Sequence, residues 1–272
     1  MEPIRLPTKI ELTPGAKDNS AVLTVEPCFQ GYGTTIGNAL RRVLLSSLPG
    51  AAVTAVKITG AQHEFSTIPN VKEDVLEIIL NLKQLRLRVH SDEPVRLTLK
   101  KTGEGKVKAK DIQPSSDVEI CNPDLHIATI TDEAGELEME IFAAKGRGFV
   151  TTEERGKEKE IGIIAIDSIF TPIRNVGYSV VDTRVGQITN FDKLVMHIET
   201  DGTISPQEAV EQASKTLLEH FEMFRSLSGN IGTVPTELKA EPAAELVPDE
   251  ASKPADETTE EKPKKAKKKK AE

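Results

Sequence analysis

The chain has 272 residues, a length that favours about two domains, and 38% of them are apolar, which is enough for a packed core. A net charge of −8 disfavours a folded body that grips nucleic acid directly. The isolated cysteines, Cys28 and Cys121, form no paired motif and are expected as reduced thiols. No segment reaches the roughly 20 apolar residues of a membrane span, so a cytoplasmic protein is expected.

Three helices are predicted in chain order, over residues 34–48, 71–82 and 206–227. A threonine at 34 or 35 can cap the first helix, and apolar residues follow at helical spacing. The second starts with a capping-box-like pair, Asn70 and Glu73. The third has Ser205 as its N-cap and Glu208 as the reciprocal cap, which is a strong helix-start pattern.

The remaining folded sequence favours strands, predicted over residues 21–25, 52–59, 86–89, 95–99, 118–120, 127–131, 137–142, 162–168 and 194–200. Polar and apolar residues alternate in several of them, as is typical of half-exposed antiparallel strands. The pattern therefore predicts an α+β fold. Because the first and last helices flank a strand-rich middle, we interpret the middle as an insertion between two halves of one domain.

The last forty or so residues have a different composition, rich in Pro, Glu, Ala, Thr and Lys. Such a segment cannot bury enough apolar surface to offset its ordering entropy, so residues 231–272 are predicted to be a disordered tail. Its lysine run, from Lys262 to Lys270, allows weak phosphate contact, although such runs more often serve solubility.

A glycine cluster, Gly31, Gly33 and Gly37, follows a strand and opens the first helix. It resembles a dinucleotide-binding loop, but its spacing departs by one residue, no acidic residue ends the next strand, and a Walker-type lysine is absent. A tight helix start with close packing is favoured. A nucleotide-dependent enzyme that uses this loop remains the alternative.

No catalytic grouping emerges elsewhere. The five histidines have no metal-type spacing among themselves or with the cysteines, and the carboxylates fit caps or solvated charge. No metal ion or cofactor is expected, and no side chain is predicted to be catalytic.

Two features favour a protein interface instead. Arg41 and Arg42 are about 100° apart on a helix, so at least one projects from the surface beside Leu45. It is either a solvated arginine or an interface anchor. The last helix carries an apolar stripe, either packed on its own sheet or shared with the first helix in a two-fold dimer. The basic stretch from Lys145 to Phe149 is interpreted as a flexible turn or a partner-contacting loop.

These motifs together resemble a known family. Residues 31–50 read GYGTTIGNALRRVLLSSLPG, which closely resembles the signature of the alpha-subunit family of bacterial DNA-directed RNA polymerase. The resemblance continues, in order and spacing, through residues 63–67, 71–83, 145–149, 192–195 and 199–206. It covers nearly all of residues 1–227.

The resemblance implies a dimerisation subdomain formed by residues 1–50 and 170–230, and an inserted, mostly antiparallel subdomain over residues 51–169. It also implies a homodimer that recruits the beta subunit through one copy and the beta-prime subunit through the other, with omega and sigma in the complete, nucleoid-associated enzyme. Because the family's catalytic aspartates and metals belong to beta-prime, this chain is expected to be a non-catalytic scaffold of a nucleotidyltransferase.

The same resemblance implies roles for individual residues. Contact with beta is implied for Arg42, with Arg41, Leu45, Gly37 and Asn38 beside it, and for residues 63–72. Contact with beta-prime is implied for Lys83, Ile166, Asp167 and Lys193. The dimer interface is implied for Ile36, Leu40, Val43, Leu44, Val210, Leu217, Phe221 and Phe224.

The sequence departs from the family after Asn230, where members usually carry a helical domain that binds promoter DNA. Only the acidic and then lysine-rich tail follows here, so promoter recognition is not expected, and contact with DNA is expected only indirectly or weakly through the lysine run. A dimeric adaptor unrelated to transcription is a further alternative.

Overall fold

The computed structural model describes residues 4–113, 115–155, 162–186 and 188–226. Three α-helices lie in these ranges: α1 (Tyr32–Ser46), α2 (Val75–Leu82) and α3 (Pro206–Ser226). The strands are β1 (Lys9–Pro14), β2 (Ser20–Cys28), β3 (Pro49–Ile58), β4 (Leu87–Val89), β5 (Val95–Thr102), β6 (Gly105–Lys108), β7 (Val118–Ile120), β8 (His126–Ile130), β9 (Glu136–Arg147), β10 (Phe149–Val150), β11 (Ile163–Ala165), β12 (Ser168–Ile169), β13 (Ile173–Val185) and β14 (Ile188–Thr200). Their pairing is antiparallel, and the predicted α+β class is confirmed.

One four-stranded sheet has the order β1-β2-β14-β13 and carries α1 and α3 on one face. Alternate residues of β2 and β14 point into this core, as the period-2 geometry of strands requires. The core is formed by Leu23, Val25, Cys28, Leu40, Leu44, Leu48, Ile173, Val176, Leu194, Met196, Ile198, Ala209 and Ala213. Both ends of the described chain therefore contribute to a single core.

A second four-stranded sheet, of order β11-β3-β9-β5, packs with α2 and two small ladders, β4-β7 and β6-β8. The apolar face of α2 supplies Ile78, Ile79 and Leu82 to a core that also includes Val56 and Met139. This core is built from residues between 53 and 166, all in the middle of the chain.

The ends of the helices only partly follow the prediction. The reciprocal cap of α3 is confirmed: Glu208 N–H donates to Ser205 Oγ at 3.2 Å, and Ser205 N–H donates to Glu208 Oε2 at 2.9 Å. The predicted start of α2 at residue 71 is wrong. Asp74 is its N-cap, accepting the Glu77 N–H at 2.7 Å, because the Glu73 carboxylate is bound instead to β8.

Four strands were not predicted, namely β1, β6, β10 and β13. The pairing of β13 with β14 shifts register near both ends, which breaks the alternation that reveals a strand in sequence. The predicted strand at 162–168 is divided between β11 and β12. The basic stretch that starts at Lys145 is not a joint after a strand, because β9 continues to Arg147.

Cys28 is buried and Cys121 half-buried, and both are free thiols. Among the described residues, the helices are too short or too polar for any of them to cross a membrane. The predicted disordered tail over residues 231–272, including its lysine run, lies outside the described residues.

Candidate subunit interface

The glycine cluster forms the start of α1, where a buried carboxylate occupies it. Gly31 is the N-cap with φ of 84°, and α1 has no side-chain cap of its own. Thr35, predicted as a possible cap, instead donates its hydroxyl to the Gly31 carbonyl at 3.2 Å. The Asp192 Oδ2 on β14 accepts the N–H groups of Gly31 at 2.9 Å and Gly33 at 3.1 Å.

The hydrogen bonds of Asp192 occupy the place where a nucleotide phosphate would bind to the glycine loop. A helix N-terminus attracts phosphate through its free N–H groups and its dipole. Here two of those groups are already bound to Asp192, whose negative charge would repel a second anion. The geometry therefore speaks against a phosphate site at the glycine loop.

The glycines instead let α1 approach the sheet closely, as the sequence favoured. A Cβ on Gly33 would lie 3.0 Å from Asp192 Cβ, and one on Gly37 would lie 2.8 Å from the side chains of Leu194 and Tyr178. Gly37 is buried, so it is not a surface contact for a partner. Its neighbour Asn38 is exposed.

The exposed part of α1 presents two cations. Arg41 and Arg42 are both exposed, and neither guanidinium has a hydrogen-bond or ion-pair partner among the residues that the structure describes. Leu45 lies half-buried beside them. The helix is held rigidly beneath, because Leu40 and Leu44 are 7% and 0% exposed. Such a surface suits a partner that offers carboxylates and an apolar contact.

The residues predicted for the dimer interface separate into three groups. Leu40 and Leu44 lie inside the protomer's own core, so the structure corrects their placement on a surface. Four others are half-buried against that core: Ile36, Val43, Val210 and Leu217. Phe221 and Phe224 are exposed, at 62% and 67%.

Leu218 was not among the residues predicted for the interface, although it is an apolar residue of the same helix and is 59% exposed. The helical stripe of the prediction followed the side of α3 that packs on the sheet. The N-terminal half of α3 packs on the core through Ala209 and Ala213. The exposed apolar residues of α3 lie in its C-terminal half. Adjacent exposed apolar side chains are typical of a protein interface.

Two of the residues predicted to contact beta-prime lie together. Lys83 Nζ is 3.3 Å from Asp167 Oδ2, while Asp167 Oδ1 accepts the Thr152 N–H at 3.0 Å. The Thr152 hydrogen bond and the Lys83 ammonium, against an opposing effect of burial, lower the pKa of the Asp167 carboxyl. The pair is half-exposed, and the lowered pKa keeps the Asp167 carboxylate ionised at neutral pH.

The other two residues behave differently. Ile166 is 1% exposed and belongs to the second core, so the structure corrects its placement on a contact surface. Lys193 lies on the other sheet, with its Nζ 3.0 Å from Glu26 Oε2. Since Lys193 and Asp192 are neighbours on a strand, their side chains point to opposite faces of that sheet.

The segment 63–72 is mostly exposed, although Ile68 within it is buried in the second core, and hydrogen bonds join it to the region of β8. Lys72 N–H donates to the Thr129 carbonyl at 3.0 Å, and Thr131 N–H donates to the Asn70 carbonyl at 2.9 Å. At its tip, Phe65 is 74% exposed and borders a shallow cavity that Thr152 also lines. Because Thr152 also binds Asp167, the segment lies near the Lys83–Asp167 pair.

The basic stretch after residue 144 is the end of β9, held in place by side-chain contacts. Lys145 Nζ donates to the His90 carbonyl and to Asp92 Oδ1, each at 2.8 Å. A Cβ on Gly146 would lie 2.7 Å from the Phe170 ring, so only glycine fits there. Beyond it, the exposed Phe149 pairs across strands with Ile169.

Within the described ranges, no cluster of three or more His, Cys, Asp or Glu side chains is arranged to hold a metal ion. The notable features of the surface are therefore the two arginines, the apolar end of α3 and the half-exposed ion pairs.

Comparison with known proteins identifies the family. Residues 56–171 match the family described as the RNA polymerase Rpb3/RpoA insert domain. The chain is 57% identical over 222 residues to the DNA-directed RNA polymerase subunit alpha of Symbiobacterium thermophilum, covering 81% of this chain and 70% of that relative. The protein of the same name from Desulfitobacterium hafniense is 53% identical over 228 residues, covering 83% and 72%. Since more than half of the aligned residues are identical over most of both chains, this chain belongs to the family of DNA-directed RNA polymerase alpha subunits.

Proposed function

We propose that this chain is the assembly subunit of a bacterial DNA-directed RNA polymerase. It contributes to nucleotidyl transfer as a scaffold for the large subunits and carries no catalytic residue itself. The observation that carries the proposal is the surface of α1, where Arg41 and Arg42 project unpaired from a helix locked against its sheet. Family membership supplies the identity of the complex.

We propose that residues 1–50 and 170–230 form the dimerisation subdomain and residues 51–169 the inserted one. This division is supported by the two hydrophobic cores, since one draws on residues from both ends of the described chain and the other only on the middle. The family match over 56–171 agrees with the inserted portion.

Homodimerisation is proposed to use the exposed end of α3, where Leu218, Phe221 and Phe224 are more than half exposed. Burial of each such side chain is worth about 1.5–3 kcal/mol, so two copies of the helix offer a sizeable driving force. The half-buried residues Val43 and Leu217 would border this contact.

One protomer is proposed to bind the beta subunit through Arg42, with Arg41, Leu45 and Asn38 around it. The other is proposed to bind beta-prime through Lys83, Asp167 and Lys193, whose positions are fixed by ion pairs. Omega and sigma would join the completed enzyme. Any direct contact with DNA is proposed to be weak and to involve the lysine run outside the described residues.

The central test is Arg42→Ala in the full chain co-expressed with the beta subunit. Removing one partner of a desolvated charge pair costs about 2–5 kcal/mol, so beta should no longer co-purify while the alpha dimer persists in sedimentation. Arg96→Ala, which removes an exposed arginine from β5, is the matched control and should retain beta. Undiminished capture of beta by the Arg42 variant would exclude the assigned role of Arg42.

A further inference from the structure

The carboxylate of Asp192 has a position that the proposed contacts leave unexplained. It is 7% exposed, and one of its oxygens accepts the N–H groups of Gly31 and Gly33 at the start of α1. We propose that Asp192 is a positioning residue: it fixes the rotation and axial position of α1, and thereby orients Arg41 and Arg42 for the large subunit. This inference rests on the proposed function.

Among the described residues, the other hydrogen bonds at the start of α1 stay within the local chain, since Tyr32 N–H donates to the Phe29 carbonyl at 2.9 Å and Thr35 donates to the Gly31 carbonyl. The helix has no side-chain cap of its own and no acidic residue in its first turn. Its N-cap, Gly31, adopts a left-handed conformation, and as a glycine it has no side chain that could cap the helix. Among the described residues, the carboxylate that is hydrogen-bonded to the positive end of the helix dipole is that of Asp192, from a strand some 160 residues later in the chain.

The contact defines geometry as well as charge. Two N–H groups converge on the single atom Oδ2, and a Cβ on Gly33 would lie only 3.0 Å from the Asp192 side chain, so the helix and this side chain are in tight contact. A helix held by a single contact can still rotate about its axis. The two hydrogen bonds to Asp192, together with the tight contact at Gly33, restrict this rotation. The glycine pair and Asp192 thus act as one clamp.

Rotation of α1 matters because arginine recognition is directional. A guanidinium binds carboxylates through two parallel hydrogen bonds, which tolerate little misalignment. Side-chain atoms lie about 5–6 Å from the axis of a helix, so a turn of 10° moves them by about 1 Å. Loosening the clamp should therefore weaken binding at Arg42 even though Asp192 never touches the partner.

The test compares Asp192→Ala with Asp192→Asn, which keeps the shape and one acceptor oxygen. Asp182→Asn is the matched control, because Asp182 is exposed and faces Asp192 on the neighbouring strand but makes no bond to α1. We expect the affinity of the dimer for the beta subunit to fall by about tenfold in Asp192→Ala and less in Asp192→Asn. Dimerisation and the control should be unchanged.

A double-mutant cycle with Arg42→Ala separates positioning from general destabilisation. If Asp192 acts through the arginine, its substitution adds little once Arg42 is absent; full additivity would overturn the proposal. Hydrogen exchange at Gly31 and Gly33 of the isolated dimer provides a second measurement, expected to accelerate in Asp192→Ala. Unchanged exchange would also overturn it, whereas failure of Arg42→Ala alone to release beta would contradict the proposed function instead.

Discussion

At the scale of single residues, the described fold depends on a few buried carboxylates that join distant segments. Glu73 is 7% exposed and binds β8 three times: its oxygens accept the Thr129 N–H at 2.6 Å and the Thr129 hydroxyl at 3.0 Å, and lie 3.0 Å from His126 Nε2. Burial opposes its ionisation, but these hydrogen bonds outweigh that effect and lower the pKa of Glu73. The exposed segment before α2 is thereby fixed to the inserted sheet.

Glu73→Gln should destabilise the protein by about 1–3 kcal/mol at pH 7, because the buried donors lose a charged acceptor. Since the folded-state pKa lies below the ordinary value of 4.5, the contribution of the carboxylate is complete above that pH and is lost as the pH falls through the folded-state pKa. Urea unfolding at pH 7 and at progressively lower pH measures the difference. Glu133→Gln, an exposed change in the nearby turn, serves as the control, and a gap between wild type and Glu73→Gln that widens in acid would contradict the assignment.

At the scale of elements, the start of a helix can be predicted from sequence when the residues that cap it lie close together in the chain. The start of α3 was predictable because Ser205 and Glu208 cap each other within one turn. The start of α2 was not, because Glu73 bonds to a strand more than fifty residues away. The glycines of α1 indicated close packing, but nothing in the sequence identified Asp192 as the cap.

The interface prediction failed in part for a related reason. Helical periodicity finds the apolar stripe of a helix but does not say whether that stripe meets the protomer's own sheet or a partner. Leu40 and Leu44 meet the sheet, whereas Phe221 and Phe224 remain exposed. The resemblance to a family predicted which residues belong to the interface. Only the three-dimensional packing shows which of these residues are buried in the protomer and which are exposed.

The exposed end of α3 makes a direct prediction for the dimer. Phe221→Asp should produce monomers, because the charge would have to be buried in an apolar contact, and it should leave the protomer folded since Phe221 is 62% exposed. A charge at the half-buried Leu217 could unfold the protomer as well as break the dimer, so it would not separate these two effects. Sedimentation at micromolar concentration measures the result, with Ser214→Asp as an exposed control on the same helix. A dimeric Phe221→Asp protein would place the interface elsewhere.

At the scale of the whole described protomer, two arginines connect the middle of the chain to the turn that leads into α3. Arg88 donates to the Thr203 carbonyl through Nε, at 3.2 Å, and again through Nη2. Arg86 places Nη1 4.0 Å from Asp201, and its buried Nε has no hydrogen-bond partner among the described residues. Asp201 in turn accepts the Thr203 N–H at 2.9 Å. The second core is thus joined to the base of the proposed dimerisation helix by charged contacts as well as by the chain.

The joint replacement of Arg86 and Arg88 by alanine should therefore weaken the coupling between the two cores. Hydrogen bonds that involve a charged group are worth about 1.5–3 kcal/mol, and each kcal/mol lowers the melting midpoint by about 2–4 °C in a domain of this size. Calorimetry should show a lower midpoint and a broadened or divided transition, because each core has its own sheet and helix. Arg96→Ala removes an exposed ion pair between two strands of one sheet, so it should shift the midpoint little and keep a single transition. If the double variant melts as sharply as the wild type, other contacts and the chain connections couple the cores, and the arginines only hold the turn before α3.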